Sequence, residues 1–547
     1  MTTVAANDNL DALIIGGGHN GLVCAFYLAR AGLRVRVLER AGVVGGAAVT
    51  EEFHPGFRNS VASYTVSLLS PKVIADMELA ERGLKILPRP LANFFPFEDG
   101  RFLKIGGGLA RTQAELAKFS QKDAAAYPAY AARLSAVADL LRRLAEQTPP
   151  SPRRGWSAAA TAGRQLYPAL KGGTGLQQDV LDLVSKSARS LLEGWFEAPQ
   201  TQAAFGFDAI VGTFASPDTP GTAYVLLHHV FGEVNGERGA WGHAVGGMGA
   251  ITRAMARACE AAGAELATDA EVAEVLVEKD KAVGVRLADG RVMGASIVAS
   301  GVNPKLLYTR LTPADALPAE FLRRMRAWRN ASGVLRMNVA LSELPQFSCL
   351  PQTSADYGAG EHLGAGIVIA PSLDYMDRAY IDAKALGWSR KPMVEMLIPS
   401  TVDDSLAPPG AHVASLFAQQ FAPELPPDCP AGRSWSDARE AAADAVIAAV
   451  DAHAPNFSKS VIARTILSPQ DLEDRFGLLG GDIFHGAMTL DQLWASRPAL
   501  GAGDYRGPLK GLYHCGSGAH PGGGVTGLPG RNAAREILRD RSLRGPR

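Results

Sequence analysis

Cysteine is scarce: five among 547 residues, at Cys24, Cys259, Cys349, Cys429 and Cys515, far apart and without a C-x-x-C pair. That argues against a zinc ribbon or a redox-active dithiol and predicts small buried apolar side chains in a reducing compartment. An excess of charge of one sign is also lacking. Lys plus Arg and Asp plus Glu number 55 each, no long basic run interrupts the balance, and nothing points to nucleic acid. No uninterrupted apolar run reaches about eighteen residues, so no membrane span is expected, while monotopic attachment to a bilayer stays open. Met1 to Leu10 is short and polar, without a basic start and an apolar core, so a secretory signal is not expected. His228-His229, then Trp241 and His243, have no compact third ligand beside them. On a strand, adjacent histidines point in different directions, so no metal site is expected there.

What is present is glycine, placed with purpose. Asp11 to Ile15 is a short apolar run read as a buried strand, and Gly16-Gly17-Gly18-His19-Asn20-Gly21 follows at once with the pattern G-x-G-x-x-G. Leu22 to Ala31 has helical spacing and stops at Gly32, Leu33 to Leu38 reads as a second strand, and Glu39 closes it. This is the order of a dinucleotide-binding βαβ unit. Gly16 allows the tight turn, Gly18 lets the backbone approach a diphosphate, and Gly21 allows close helix–strand packing. The diphosphate is expected at the helix N-terminus, and Glu39 can accept both hydroxyls of an adenosine ribose.

Val43 to Thr50 carries Gly45-Gly46 just past the second strand, where the chain can pass close to a bulky ligand. Nicotinamide enzymes do not need that element. The runs G-G-G-H-N-G-L, L-E-R and V-G-G-A-A-V-T-E-E together resemble flavoproteins of the amine oxidase and carotenoid desaturase superfamily. Within it they resemble the phytoene desaturase and carotenoid ketolase branch, above all the relatives named pyridine nucleotide-disulfide oxidoreductase domain-containing protein 2. The resemblance implies that Gly16, Gly18, Asn20, Gly21, Glu39, Arg40, Gly45, Gly46 and Ala47 hold FAD.

Two later blocks extend it. After Gly246-Gly247-Met248-Gly249 come a helix, Ala250 to Ala262, and three strands, Val272 to Glu278, Ala282 to Leu287 and Arg291 to Ser300, with a hairpin turn at Asp289-Gly290. By resemblance Val272 lies against the adenine and Gly301 passes near the diphosphate. No second G-x-G-x-x-G occurs in this element, so a separate NAD(P)H domain is not expected. At the other end, Gly480 to Met488 matches the same relatives, and Gly511 to Val525 resembles the desaturase signature L-Y-x-x-G-x-x-x-H-P-G-G-G-V. That places Gly516, Gly523, Gly524 and Val525 at the flavin. A strand running into glycines lets backbone lie flat against a planar ring. A following helix, Gly527 to Leu538, would aim its N-terminus at the negative charge of the reduced ring.

The expected fold class is α/β: a Rossmann-like FAD-binding domain of discontinuous segments, 1–99, 226–305 and 476–547, with a helical cap over 100–225 and a mixed-sheet substrate domain over 306–475. Helices are expected at Tyr127 to Glu146, Leu176 to Phe196 and Asp437 to Ala452, strands at Asn330 to Leu341 and Met393 to Pro399, and a surface loop at Gly358 to Gly366. His485 and His520 are the candidate catalytic residues near the ring, though hydride removal from an unactivated carbon has no evident need of a base and structural roles stay open. Arg58 and His19 are further candidates for contact with the cofactor. The implied activity is FAD-dependent hydride abstraction from a largely apolar, carotenoid- or isoprenoid-like substrate, with oxygen or a quinone as acceptor. Flavin amine oxidase and a non-catalytic flavoprotein acting through membrane or protein partners are the alternatives. A cytoplasmic location is expected, with peripheral membrane contact left open.

Overall fold

Leu10–Ile15 forms the central strand of a seven-stranded sheet, and its apolar side chains from Ala12 onward are buried. A computed structural model describes residues 10–330, 332–350 and 360–543. In it this strand runs parallel to Val35–Leu38 on one side and to Val292–Ser300 on the other. Glu265–Ala267 extends the sheet beyond Val35–Leu38. Val272–Glu278 and Lys281–Leu287 add an antiparallel meander to Val292–Ser300, and Leu512–His514 pairs parallel with the C-terminal end of that same strand. The chain's two ends therefore meet in one sheet.

The first helix, His19–Arg30, ends as its sequence demands. Gly32 sits at φ +85°, its N–H donates to the Ala29 carbonyl, and the Leu33 N–H donates to the Leu28 carbonyl. That is a Schellman close, open to glycine because no Cβ opposes the left-handed backbone. Helices Gly249–Ala261 and Leu528–Ser542 flank it, and all three bury their apolar stripes in one core.

A second seven-stranded sheet orders Val461–Leu467, Val334–Leu341, His412–Phe421, Trp388–Leu397, Gly366–Ile369, Asn93–Pro96 and Phe102–Ile105. One face packs on the helix Trp435–Asp451. The other is covered by the helical segment, chiefly Gln121–Ala145 and Pro199–Ile210.

Several expectations shift. The boundary at 99 cuts the hairpin Asn93–Pro96/Phe102–Ile105, which belongs to the second sheet because Asn93 and Phe94 pair with Gly366 and Ile367. Residues after 305 stay with the first domain: Leu307, Tyr308, Phe321 and Met325 pack against its sheet. Leu176 to Phe196 is two helices, Gly173–Ser185 and Ala188–Glu193. His228 and His229 close a 3-10 helix, Thr222–His229, rather than a strand, and their side chains lie outside the described residues. Helix Leu373–Leu386 was missed although its signals are local: Ser372 accepts from the Tyr375 N–H, and Gly387 at φ +99° ends it. The loop expected at 358–366 lies partly outside the described residues, and the rest is a 3-10 turn, Glu361–Gly364, leading into a buried strand. All five cysteines are buried and none is disulfide-bonded. Among the described residues no helix is long and apolar enough to cross a membrane.

Candidate functional site

The glycine-rich turn and the helix behind it open onto a cavity of about 380 Å³. Ten of the expected cofactor residues line it: Gly16, Gly18, Asn20, Gly21, Glu39, Arg40, Gly46, Ala47, Val272 and Gly301. Gly21 is there for packing, since a Cβ would stand 2.1 Å from the Gly16 carbonyl oxygen. The first helix has no side-chain N-cap and no acid in its first turn, which leaves its N-terminal N–H groups for an anion. Glu39 is anchored at both oxygens. The Gly17 N–H donates to Oε2 at 2.8 Å and the Ala41 N–H to Oε1 at 2.9 Å. A carboxylate has lone pairs to spare, so two ribose hydroxyls can still donate to it.

Six expected residues do not line this cavity, and four of them, Gly45, Gly516, Gly523 and His520, do not line the smaller one beside it either. Gly45 lies behind the larger: its N–H donates to the Gly17 carbonyl, and a Cβ would strike Val49 and Thr252. Gly516 is a packing glycine whose Cβ would meet the Gly301 carbonyl oxygen at 2.2 Å. Gly523 presses against Phe484. His520 lines neither of the two cavities. Its Nε2 donates to the Leu144 carbonyl at 2.9 Å, and its own carbonyl accepts from the Tyr505 hydroxyl. It fastens the cap's long helix to the C-terminal loop, so the catalytic expectation for His520 is corrected to a structural role. Arg58 is exposed on a hairpin, away from both cavities.

A second cavity of about 140 Å³ adjoins the first. His19, Ala47, Leu478, His485 and Ser517 line both, and Gly524 and Val525 line the second. The first turn of helix Leu528–Ser542 lines neither, so its N-terminus does not reach the site as expected; the residues leading into it do. Ser517 Oγ accepts from Asn20 Nδ2 at 3.1 Å, which joins the N-terminal turn to the C-terminal loop at the shared wall.

His485 sits in that wall at φ +57°, in a loop wound around one buried carboxylate. Asp482 accepts from the N–H groups of Phe484 and Gly486 and from Asn330 and Ser332. Fully buried Arg497 holds the loop from the other side, donating to the carbonyls of Phe484, Gln492 and Ser517. Sequence reading missed Asp482 and Arg497 because single charged residues carry no spacing signal. Burial, with His19 and Arg497 nearby, pushes His485 down to about 3, and burial pushes His19 down to about 4. Both imidazoles are neutral at ordinary pH.

The donor set fits a dinucleotide. Asn20 Oδ1, Asn303 Nδ2, His19 Nε2 and His485 Nδ1 are buried without a hydrogen-bond partner, and all four residues line the first cavity. Buried polar atoms of this kind are rare unless a ligand satisfies them. Arg310 and Arg475 add positive charge to the wall.

A family model described as flavin containing amine oxidoreductase matches residues 21–341. The chain is 41% identical to pyridine nucleotide-disulfide oxidoreductase domain-containing protein 2 of Mus musculus, over 97% of this chain and 93% of that one. It is 26% identical to one of the subunits of limonene dehydrogenase from Castellaniella defragrans, over 97% and 95%. Among solved structures, an oxidoreductase from Methanosarcina mazei superimposes with a TM-score of 0.60 at 16% identity, covering 97% of this chain and all of that one, a likeness of fold.

Proposed function

Because the chain belongs to the flavin-containing amine oxidoreductase family, with FAD as its cofactor, we propose that it dehydrogenates a carbon centre of a small substrate held in the second cavity. FAD held by the glycine turn and Glu39 of the first cavity would supply the two-electron oxidation of a substrate C–H, with oxygen or a quinone as the final acceptor. The observation that carries this reading is the shared wall. Five residues line both cavities, so a flavin reaching the end of the first faces whatever fills the second.

The chain's own residues orient and shield. Ala47 in the shared wall and Gly524 in the second cavity offer little or no side chain, which leaves room for a planar ring. Neutral His19 and His485 can donate or accept a hydrogen bond there without bringing charge. No side chain at the wall is poised as a strong base, which suits removal of hydride from carbon rather than general acid–base chemistry. The relative named for limonene supports desaturation or a related C–H oxidation of an isoprenoid-like body. The cavity is too small for a whole long-chain carotenoid, so only the reacting portion would enter it.

Amine oxidation is the second reading, favoured by Tyr64, Trp241 and Phe417 around the cavity. Purified protein should show a flavin spectrum. Anaerobic mixing with isoprenoid alkenes and, separately, with amines then decides. Bleaching by the first class supports dehydrogenation at carbon, whereas peroxide release with amines alone overturns it. A protein that neither carries nor takes up FAD overturns both.

A further inference from the structure

The second cavity holds charge that dehydrogenation of a hydrocarbon does not require. Arg89 and Glu395 both line it, and the side chains of both are almost fully buried. Arg89 Nη1 stands 4.0 Å from Glu395 Oε1, too far for a hydrogen bond. The Tyr64 hydroxyl takes up the other oxygen, donating to Glu395 Oε2 at 2.5 Å. Arg89 Nη2 donates to Thr65 Oγ1, and its guanidinium lies 5.7 Å from the Trp241 ring. Its Nε and Nη1 donate to no protein acceptor among the described residues. A second buried guanidinium, Arg336, stacks over Tyr64 at 4.4 Å and spends its terminal nitrogens on Leu416 O and Ser415 Oγ.

The other titratable groups around the chamber do not balance these cations. Asp208 lies near Glu395, and burial first, then the Glu395 charge, pushes its carboxyl well above the usual carboxylate range. Burial likewise holds Tyr64 neutral, and His19 and His485 are neutral. Arg89 thus faces Glu395 in the lining, and Arg336 stands behind Tyr64 as a second cation beside the same carboxylate. A buried charge left unpaired is costly, and two donors on Arg89 point to an oxyanion as the missing partner. Leu68, Val211, Phe417, Ile483 and Val525 give the lining an apolar side, with Ser63, Ser67 and Asn93 as neutral polar neighbours. A volume of this order holds a body about the size of benzene.

We propose that the second cavity recognises a compact organic acid, its carboxylate received by Arg89 and its apolar body set against Phe417 and Val211 beside the wall shared with the first cavity. This rests on the reading that a flavin occupies the first cavity. It narrows the substrate from an apolar compound to an amphiphilic one, and it disfavours a protonated amine, which would add a third cation.

The test uses the flavin-bound protein and three probes of one shape, benzoate, benzamide and benzylamine, each titrated while the flavin absorbance is followed. Benzoate should shift the spectrum saturably and bind about tenfold or more tightly than benzamide or benzylamine, as a charge-assisted pair requires. Arg89→Met should lose about tenfold in benzoate affinity while benzamide affinity holds within twofold. Glu395→Gln should tighten benzoate several-fold by removing the competing carboxylate. Should Arg89→Met fail to fold, Arg89→Lys, which keeps the charge but not the fork, replaces it and should weaken benzoate. Benzylamine binding more tightly than benzoate, indifference of flavin-bound protein to benzoate, or unchanged affinities in the variants would overturn the proposal alone. Wild-type protein unable to hold flavin would sink the flavoenzyme reading and this proposal with it.

Discussion

Glu39 shows how one side chain serves fold and ligand together. Its oxygens tie the glycine turn at Gly17 to the start of the next segment at Ala41. Glu39→Ala leaves two N–H groups without an acceptor and costs about 1–3 kcal/mol in the apoprotein, besides weakening FAD. Thermal unfolding with and without FAD separates the two losses. Arg497 acts on a larger scale. It is fully buried and reaches five carbonyls across the loop that carries His485. Arg497→Met strips those carbonyls of their donor and leaves Asp482 without its nearby cation, so a loss of about 3 kcal/mol or more is expected. The check is whether refolded protein still retains FAD through gel filtration. Neither residue's role resembles that of His520, whose ring is a tie between two segments. His520→Gln, which can still donate to the Leu144 carbonyl, should leave turnover of flavin-bound protein within a few-fold.

At the scale of elements, the crossing of the first and last helices is set by one missing side chain. A Cβ on Gly530 would stand 2.1 Å from the Asn20 carbonyl oxygen and 3.1 Å from the Cys24 nitrogen. Backbone cannot yield as a flexible side chain can, so Gly530→Ala must push the helices apart. The expected cost is about 1–3 kcal/mol, with weaker FAD binding because Asn20 lines the cavity. Gly163 gives the contrast. It lies inside the cap helix Trp156–Lys171 with nothing within 4 Å of its Cβ position, so Gly163→Ala should stabilise by up to about 1 kcal/mol. Denaturant midpoints of the two variants, measured side by side, should move in opposite directions.

For the whole molecule, histidines with rings shielded from water contribute to the response to acid, four of them most strongly. Burial pushes His19 and His520 down to about 4, and His485 and His514 down to about 3. Each binds its proton more weakly in the folded chain than in the unfolded one. Their contribution to stability is therefore complete above about pH 6.5 and is lost as pH falls from there toward 3–4. Melting temperature should drop across that window, and a variant with His514 replaced by Phe should drop less. Bound FAD should raise stability by about 2.7 kcal/mol at one hundred times its Kd.

The amino-acid sequence by itself determined the local parts: the strand–turn–helix from Leu10 to Arg30, its glycine stop, the hairpin strands after Val272, and the glycine runs at both ends. These are set by short-range sterics, hydrophobic period and backbone freedom, all of which can be read within a dozen residues. Only the tertiary structure decided which glycines face a ligand and which merely allow close packing, because Gly18 and Gly516 are alike until their neighbours are known. It also decided that Asn93–Pro96 joins the second sheet, since strand pairing across more than two hundred residues leaves no local mark. The cluster of Tyr64, Arg89, Arg336 and Glu395 comes from four distant segments, and what makes it a site, burial of unbalanced charge, exists only once the chain has closed around it.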